Sequence, residues 1–261
     1  MKGLNKLLSD DLTLAVGDVH ISTGQSLARG EWLGRAIREI NPKRIVFIGD
    51  MMTFDCLSEW DKDKRKLMEG RRYQREIDAG RRFLDMMYTA SKGWNSPEGF
   101  ILTEGNHEYR LWRYLDKDPT FDGAVDYVSD LGINEWKIIP YKEYYNYKGV
   151  DFTHIPINEA GNPVGGKYVS FKVLENAVKT TVFGHTHKLQ VAGLHRHGSP
   201  HLVQAINIGC YFEHIDDYAL GSVTSYWRGI VVLDHYERGS INFVPIRLSA
   251  LKRLATKKIK R

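Results

Sequence analysis

Short hydrophobic runs that stop abruptly at polar residues punctuate this chain. Leu12–Gly17 is an apolar run closing on Gly17-Asp18, and residues 44–49 form a second closing on Gly49-Asp50. Runs of this length bounded by turn residues read as buried strands. Between them, residues 26–40 place Leu27, Trp32, Leu33, Ala36, Ile37 and Ile40 at helical spacing until Asn41-Pro42 stops the pattern. A strand, a helix and a strand in succession predict a β-α-β unit with its strands parallel. Phe100–Thr103 predicts a third strand, followed by Glu104-Gly105-Asn106-His107 and a helix over residues 109–115.

The remaining pattern is more mixed. Residues 58–90 read as a long polar helix or helix pair broken at Gly70 and Gly80, an excursion over the active-site edge. In the second half the period shortens. Residues 144–153 predict a hairpin around Tyr147-Lys148-Gly149, and Thr180–Phe183 a strand ending at Gly184-His185-Thr186-His187. Residues 191–194, 201–208, 229–233 and 241–246 add further β segments. No repeat or linker divides the chain, so residues 1–250 read as one domain and residues 251–261 as a basic C-terminal tail.

Composition narrows the class. With 42% hydrophobic and 26% charged residues among 261, the chain is that of a packed globular protein. The first eleven residues hold no apolar run longer than the Leu7-Leu8 pair, too little for a signal peptide or a span, and the expectation is a soluble cytoplasmic protein. Cys56 and Cys210 are the two cysteines, which excludes a disulfide framework and a thiolate zinc site and predicts buried free thiols. The net charge of +5 favours anionic partners. Lys252, Arg253, Lys257, Lys258, Lys260 and Arg261 make the tail either a nucleic-acid arm or a frayed end.

Five polar clusters carry the candidate chemistry: Asp18-Val19-His20, Gly49-Asp50, Gly105-Asn106-His107-Glu108, His154, and Gly184-His185-Thr186-His187. At least four directly follow a strand-like run, where the carboxyl ends of strands bring distant residues to one crevice. A lone histidine or Gly-Asp is usually structural. Together these clusters hold five of the ten histidines, and imidazole, carboxylate and carboxamide suit borderline or hard divalent ions. An Asp can bridge a pair of ions roughly 3.5 to 4 Å apart that clamp a phosphate and activate water. His195, His197 and His201, around Gly198-Ser199-Pro200, are expected on an exposed loop; His214 and His235 have no metal-like spacing.

In these residues the chain resembles the calcineurin-like metallophosphoesterase superfamily, whose ordered signature is D-x-H, G-D, G-N-H-E/D, a lone His and G-H-x-H. The resemblance spans Asp18 to His187. It implies a four-layer α/β/β/α sandwich with two facing mixed β-sheets and a dinuclear centre at their loop edge. It also implies that Asp18, His20 and His187 hold one metal, Asn106, His154 and His185 the other, and that Asp50 bridges them. A metal-bridging hydroxide would then attack phosphorus. His107 would contact the phosphate and protonate the leaving oxygen, with Arg110 completing the cationic cradle. Mn²⁺ is the expected supporting ion, with Fe, Zn, Ni and Mg as alternatives.

One departure bears on the branch. The protein Ser/Thr phosphatases read GDxVDRG after the bridging Asp, whereas here residues 49–55 read GDMMTFD, so no acid–Arg pair orients His107; Asp55 and Glu108 are the candidates for that role. Among substrates, a phosphodiester or nucleic acid (DNA or RNA) is favoured by Lys62, Lys64, Arg65, Lys66, Arg71, Arg72 and Arg75, with Trp60 and Tyr73 available for base stacking. Interleaved acids allow a plain solvated helix. A phosphomonoesterase acting on nucleotides, small esters or phosphoproteins, and a scaffold without turnover, are the alternatives.

Overall fold

The runs that close on Gly-Asp are strands β1 (Leu12–Gly17) and β2 (Arg44–Ile48), joined by helix α1 (Arg29–Ile40) and paired in parallel. The computed structural model describes residues 8–96, 98–197, 201–213 and 225–256. Helix α1 starts three residues later than the spacing predicts, because Leu27 is taken up in a turn whose carbonyl accepts from Gly30 N. It ends at Asn41, in the left-handed conformation that commonly closes helices.

After α1 and β2 come α2 (Arg65–Met68), α3 (Tyr73–Ala90), β3 (Phe100–Thr103), α4 (Tyr109–Lys117), α5 (Tyr127–Leu131) and β4 (Lys137–Ile139). The second half holds β5 (Tyr145–Tyr147), β6 (Val150–Phe152), α6 (Val169–Asn176), β7 (Thr180–Phe183), β8 (Leu189–His195), β9 (Leu202–Ile208), β10 (Gly229–His235), β11 (Ile241–Arg247) and α7 (Leu248–Thr256). One sheet runs β11-β10-β1-β2-β3-β4 and the other β5-β6-β7-β9-β8. Both are mixed. β1 to β4 are parallel, as are β6, β7 and β9, with β10, β11, β5 and β8 antiparallel at the flanks.

Strand alternation builds the layers. Leu14, Val16, Ile45, Phe47 and Leu102 face outward into a core shared with Leu33 and Ile37 of α1, Phe83 and Met87 of α3, and Leu251 of α7. Their neighbours Ala15, Val46, Ile48 and Ile101 face inward, against Phe152, Val182 and Ile206 of the second sheet. On that sheet's far side, Phe183, Val203 and Ala205 meet Val169 and Val173 of α6. The result is the α/β/β/α sandwich with two facing mixed sheets. No helix among the described residues is long and apolar enough to cross a membrane.

Several expectations change. The break at Gly70, φ +74°, is present, but α3 runs through Gly80, where a Cβ would lie 2.5 Å from Leu131 and 2.9 Å from Met52 Sδ; this glycine serves close packing. Most of residues 73–90 is therefore core layer rather than excursion, and only residues 55–72 lie outside it. Leu251 to Thr256 belong to α7, with Leu248 and Leu251 buried, instead of opening a tail; residues 257–261 lie outside the described residues. The hairpin at Lys148 and Gly149 forms with φ +47° and +82°, the paired positive values of a two-residue turn. Cys210 is buried and Cys56 only half-buried. β8 and β9 form the expected hairpin with His195 exposed, while residues 198–200 and His214 lie outside the described residues.

Candidate metal centre

Parallel strands deliver their carboxyl ends to one edge, and the polar clusters meet there. Asp18 and His20 follow β1, Asp50 follows β2, Asn106 and His107 follow β3, His154 follows β6, and His185 and His187 follow β7. The loops are stitched by backbone bonds, with His20 N donating to Asp50 O (2.9 Å) and Gly184 N to His154 O (3.1 Å). His185 N donates to Asp18 Oδ2 (3.0 Å), which ties the two sheets across the site. Asp18, His20, Asp50, His154 and His187 are buried; Asn106, His107 and His185 are half-buried.

Five of these residues stand in the left-handed backbone region: Asp18 (φ +46°), His20 (+50°), Asp50 (+47°), His185 (+68°) and His187 (+59°). Asp and His tolerate that region better than most, yet each costs on the order of 1–3 kcal/mol unless the surroundings enforce it. Two glycines let the carboxylates close in: a Cβ on Gly105 would lie 2.1 Å from Asp50 Oδ1, and one on Gly184 2.4 Å from Asp18 Oδ2.

The donor set fits divalent ions. His154 Nδ1 donates to Ile48 O (2.9 Å), which leaves Nε2 pointing at Asn106 Oδ1 (3.1 Å), His185 Nδ1 (3.2 Å) and Asp50 Oδ2 (3.3 Å). A proton can serve only one such contact, whereas a cation can face all these lone pairs. The ligand atoms of Asp18, His20 and His187 lie within 4.8 Å of one another, as do those of Asp50, His154 and His185. Asp50 lies 3.3 Å from His154 and 3.8 Å from His20, between the two groups.

The same crowding sets the electrostatics of the cluster. Burial would raise the Asp50 carboxyl, but His154, His107 and His20 hold it well below the usual carboxylate range. Burial would lower His154, yet Asp50 raises it to about 10. His185 is pushed down to about 4 by burial and by the neighbouring His154.

His107 also comes within ligand distance of His20 and Asp50, but its surroundings differ. Its Nδ1 donates to Thr53 O (2.8 Å), and Arg110 Nη2 stands 3.4 Å from Nε2, a cation where a ligand would need an ion. Burial and Arg110 lower its pKa against the pull of Asp50. Neither sequence candidate orients the ring. Asp55 Oδ1 accepts instead from Arg110 Nη1 (3.2 Å), and buried Glu108 accepts from the backbone N–H groups of Asp50, Met52 and Gly105 at 2.8–2.9 Å. The orienting group is a main-chain carbonyl, which no side-chain motif announces.

Other contributors were not singled out in the sequence. Phe212 packs against His20 and His187, with ring centroids 4.9 and 5.1 Å apart, and Tyr226 against His187 at 4.7 Å. Buried Arg29 donates to Val19 O (2.7 Å) and to Tyr211 O, clamping the Asp18–His20 turn to the segment bearing Phe212. Of the stacking candidates, Trp60 is 86% exposed, whereas Tyr73 packs on Phe54 and donates to Asp130.

Comparisons with known proteins place this geometry. A family model described as calcineurin-like phosphoesterase matches residues 12–189. Among solved structures, Vps29 complexed with Zn²⁺ from Entamoeba histolytica is similar at 12% identity and a TM-score of 0.44, covering 90% of this chain and 98% of that one. Purple acid phosphatase PPD1 from yellow lupin gives 12% and 0.44, covering 93% and 52%. A dimetal phosphatase from Danio rerio gives 10% and 0.38, covering 91% and 99%. No curated protein matches in sequence.

Proposed function

This chain belongs to the calcineurin-like phosphoesterase family, and on that premise we propose that it is a metal-dependent phosphoester hydrolase acting on phosphodiesters. Asp18, His20 and His187 would hold one divalent ion, Asn106, His154 and His185 a second, with Asp50 shared. When bound, such ions neutralise phosphate charge and make water a competent nucleophile at neutral pH. Mn²⁺ is the ion we name first.

The observation that carries the reading is His107: a half-buried imidazole beside the donor cluster, held through Nδ1 by Thr53 O, with the Arg110 guanidinium 3.4 Å from Nε2. An incoming phosphate would draw Arg110 onto its oxygens and add negative charge near Nε2. Both changes raise the affinity of His107 for a proton, which it then gives to the leaving oxygen as general acid. Arg110 already shares its charge with Asp55. Half-neutralised in this way, it suits the single charge of a diester better than the dianion of a monoester.

Purified protein with Mn²⁺ should hydrolyse bis-p-nitrophenyl phosphate faster than p-nitrophenyl phosphate. Asp50→Ala should abolish turnover and His107→Ala should lower kcat by about 10²–10⁴-fold. A preference for the monoester would replace the diester reading by a phosphomonoesterase. Absence of hydrolysis with Mn²⁺, Fe²⁺, Zn²⁺, Ni²⁺ and Mg²⁺ alike would make the protein a scaffold.

A further inference from the structure

Helix α4 leaves the centre immediately after His107 and carries Arg110, Arg113 and Lys117 at spacings of three and four, which set the side chains on one face as neighbours. Two of the three are matched: Arg110 lies 3.2 Å from Asp55, and Lys117 pairs with Glu59. Arg113 differs. Its Nε is buried without a hydrogen-bond partner, and among the described residues its guanidinium forms no ion pair. A buried donor without an acceptor is destabilising until a ligand oxygen meets it, and the carboxylate in the field of Arg113, Glu59, already pairs with Lys117.

Aromatic surface adjoins it. Tyr109, four residues before Arg113 on α4, stacks on Tyr141 with centroids 4.9 Å apart and planes at 30°. Buried Glu104 fixes the platform, accepting from Tyr141 N (3.3 Å), Trp112 Nε1 (3.0 Å) and Tyr127 Oη (2.7 Å). Burial and Asp50 raise the Tyr141 hydroxyl while Arg113 opposes them, so the ring lies within the fields of both the metal centre and the free guanidinium. Farther along, the Lys117–Glu59 pair anchors the segment whose next residue is the exposed Trp60.

We propose that Arg113, with the Tyr109–Tyr141 stack, forms a subsite on the leaving-group side of the centre for the adjoining nucleotide of a single-stranded nucleic acid. The inference rests on the phosphodiesterase reading and narrows its substrate to a polynucleotide. The side follows from His107, the general acid of the proposed reaction, which stands two residues before α4. The strandedness follows from the aromatics, since a duplex keeps its base faces stacked internally while a single strand can lay them on tyrosine or tryptophan.

The test is binding of fluorescein-labelled decathymidylate to the full chain without added metal, read by anisotropy from 25 to 200 mM salt. Wild type should bind, with affinity falling steeply with salt. Arg113→Met should weaken binding at least fivefold and flatten the slope of log K against log salt by about 0.7, the share of one phosphate contact on a single strand. Arg113→Lys should restore most of the slope, and Tyr141→Leu, but not Tyr141→Phe, should weaken binding. Absence of wild-type binding, Arg113→Met binding like wild type, or preference for the duplex would each overturn the subsite. A protein that hydrolyses the small diester without binding the oligonucleotide keeps its proposed reaction and loses this inference; one that binds without hydrolysing loses the reaction, and with it the leaving-group side, and overturns both.

Discussion

The two ends of the sheets bury charge in opposite ways. At the amino ends of β1 and β2, fully buried Arg44 donates to Asp11 (2.7 Å), Glu98 (2.5 Å) and Thr13 (2.9 Å), and its guanidinium lies 3.5 Å from the Tyr147 ring centre. Asp11 also accepts from Tyr147 and Lys148, and these partners with Arg44 hold it well below the usual range against the upward push of burial. Within this cluster Arg44, Asp11 and Glu98 each meet an opposite charge. At the carboxyl ends, imidazole nitrogens and carboxylate oxygens crowd one another on left-handed turns, and His154 Nε2 has three other acceptors within 3.3 Å. Paired opposite charges mark a cluster that holds the fold, and an excess of lone pairs marks one suited to a cation.

Removing the metal should break the comparison most visibly. If the chain is the hydrolase proposed above, dialysis against a chelator is expected to lower its phosphoesterase activity on the order of 10³-fold or more, with far-UV circular dichroism unchanged and activity restored by Mn²⁺. Next in size is Arg44→Met, which leaves half-buried Asp11 only Tyr147 and Lys148 and should cost about 3 kcal/mol in urea unfolding while leaving kcat per folded molecule intact. Loss of activity without loss of stability there would erase the distinction between the two ends.

Proton binding sharpens it further. His235, buried at the matched end against Thr13 Oγ1 (2.7 Å), is lowered by burial and by Arg44 from 6.5 to about 4. The folded chain keeps this ring neutral where the unfolded chain already binds a proton. Its contribution is therefore complete above about pH 6.5 and is lost as pH falls toward 4, by about 3 kcal/mol in all. His235→Gln should flatten that part of the stability–pH curve. The smallest effect is expected from Arg29→Lys, which loosens the clamp on the Asp18–His20 turn and should weaken Mn²⁺ binding about 10-fold by titration calorimetry.

How far the sequence foretells all this differs between elements. The strands β1, β2, β3 and β7 were legible because short apolar runs end at Gly-Asp, Glu-Gly or Gly-His, and the candidate ligands were legible because they follow those ends. Short α6 and β4 were not, since a few apolar residues among charges leave no sustained period. α7 was masked by its lysines and arginines, although Leu248 and Leu251 reach the core. The orientation of His107 by Thr53 O escapes any motif, because every residue has a carbonyl. The Arg44 cluster joins residues from four separate strands and loops, a matching that only the register brings about.

Titration calorimetry of the metal-free chain with Mn²⁺ tests the central claim most directly. Wild type should take up two ions per chain, and Asp50→Ala should bind fewer or bind them at least tenfold more weakly. A wild-type stoichiometry below two, or an Asp50→Ala titration that superimposes on wild type, would contradict a dinuclear centre built around Asp50.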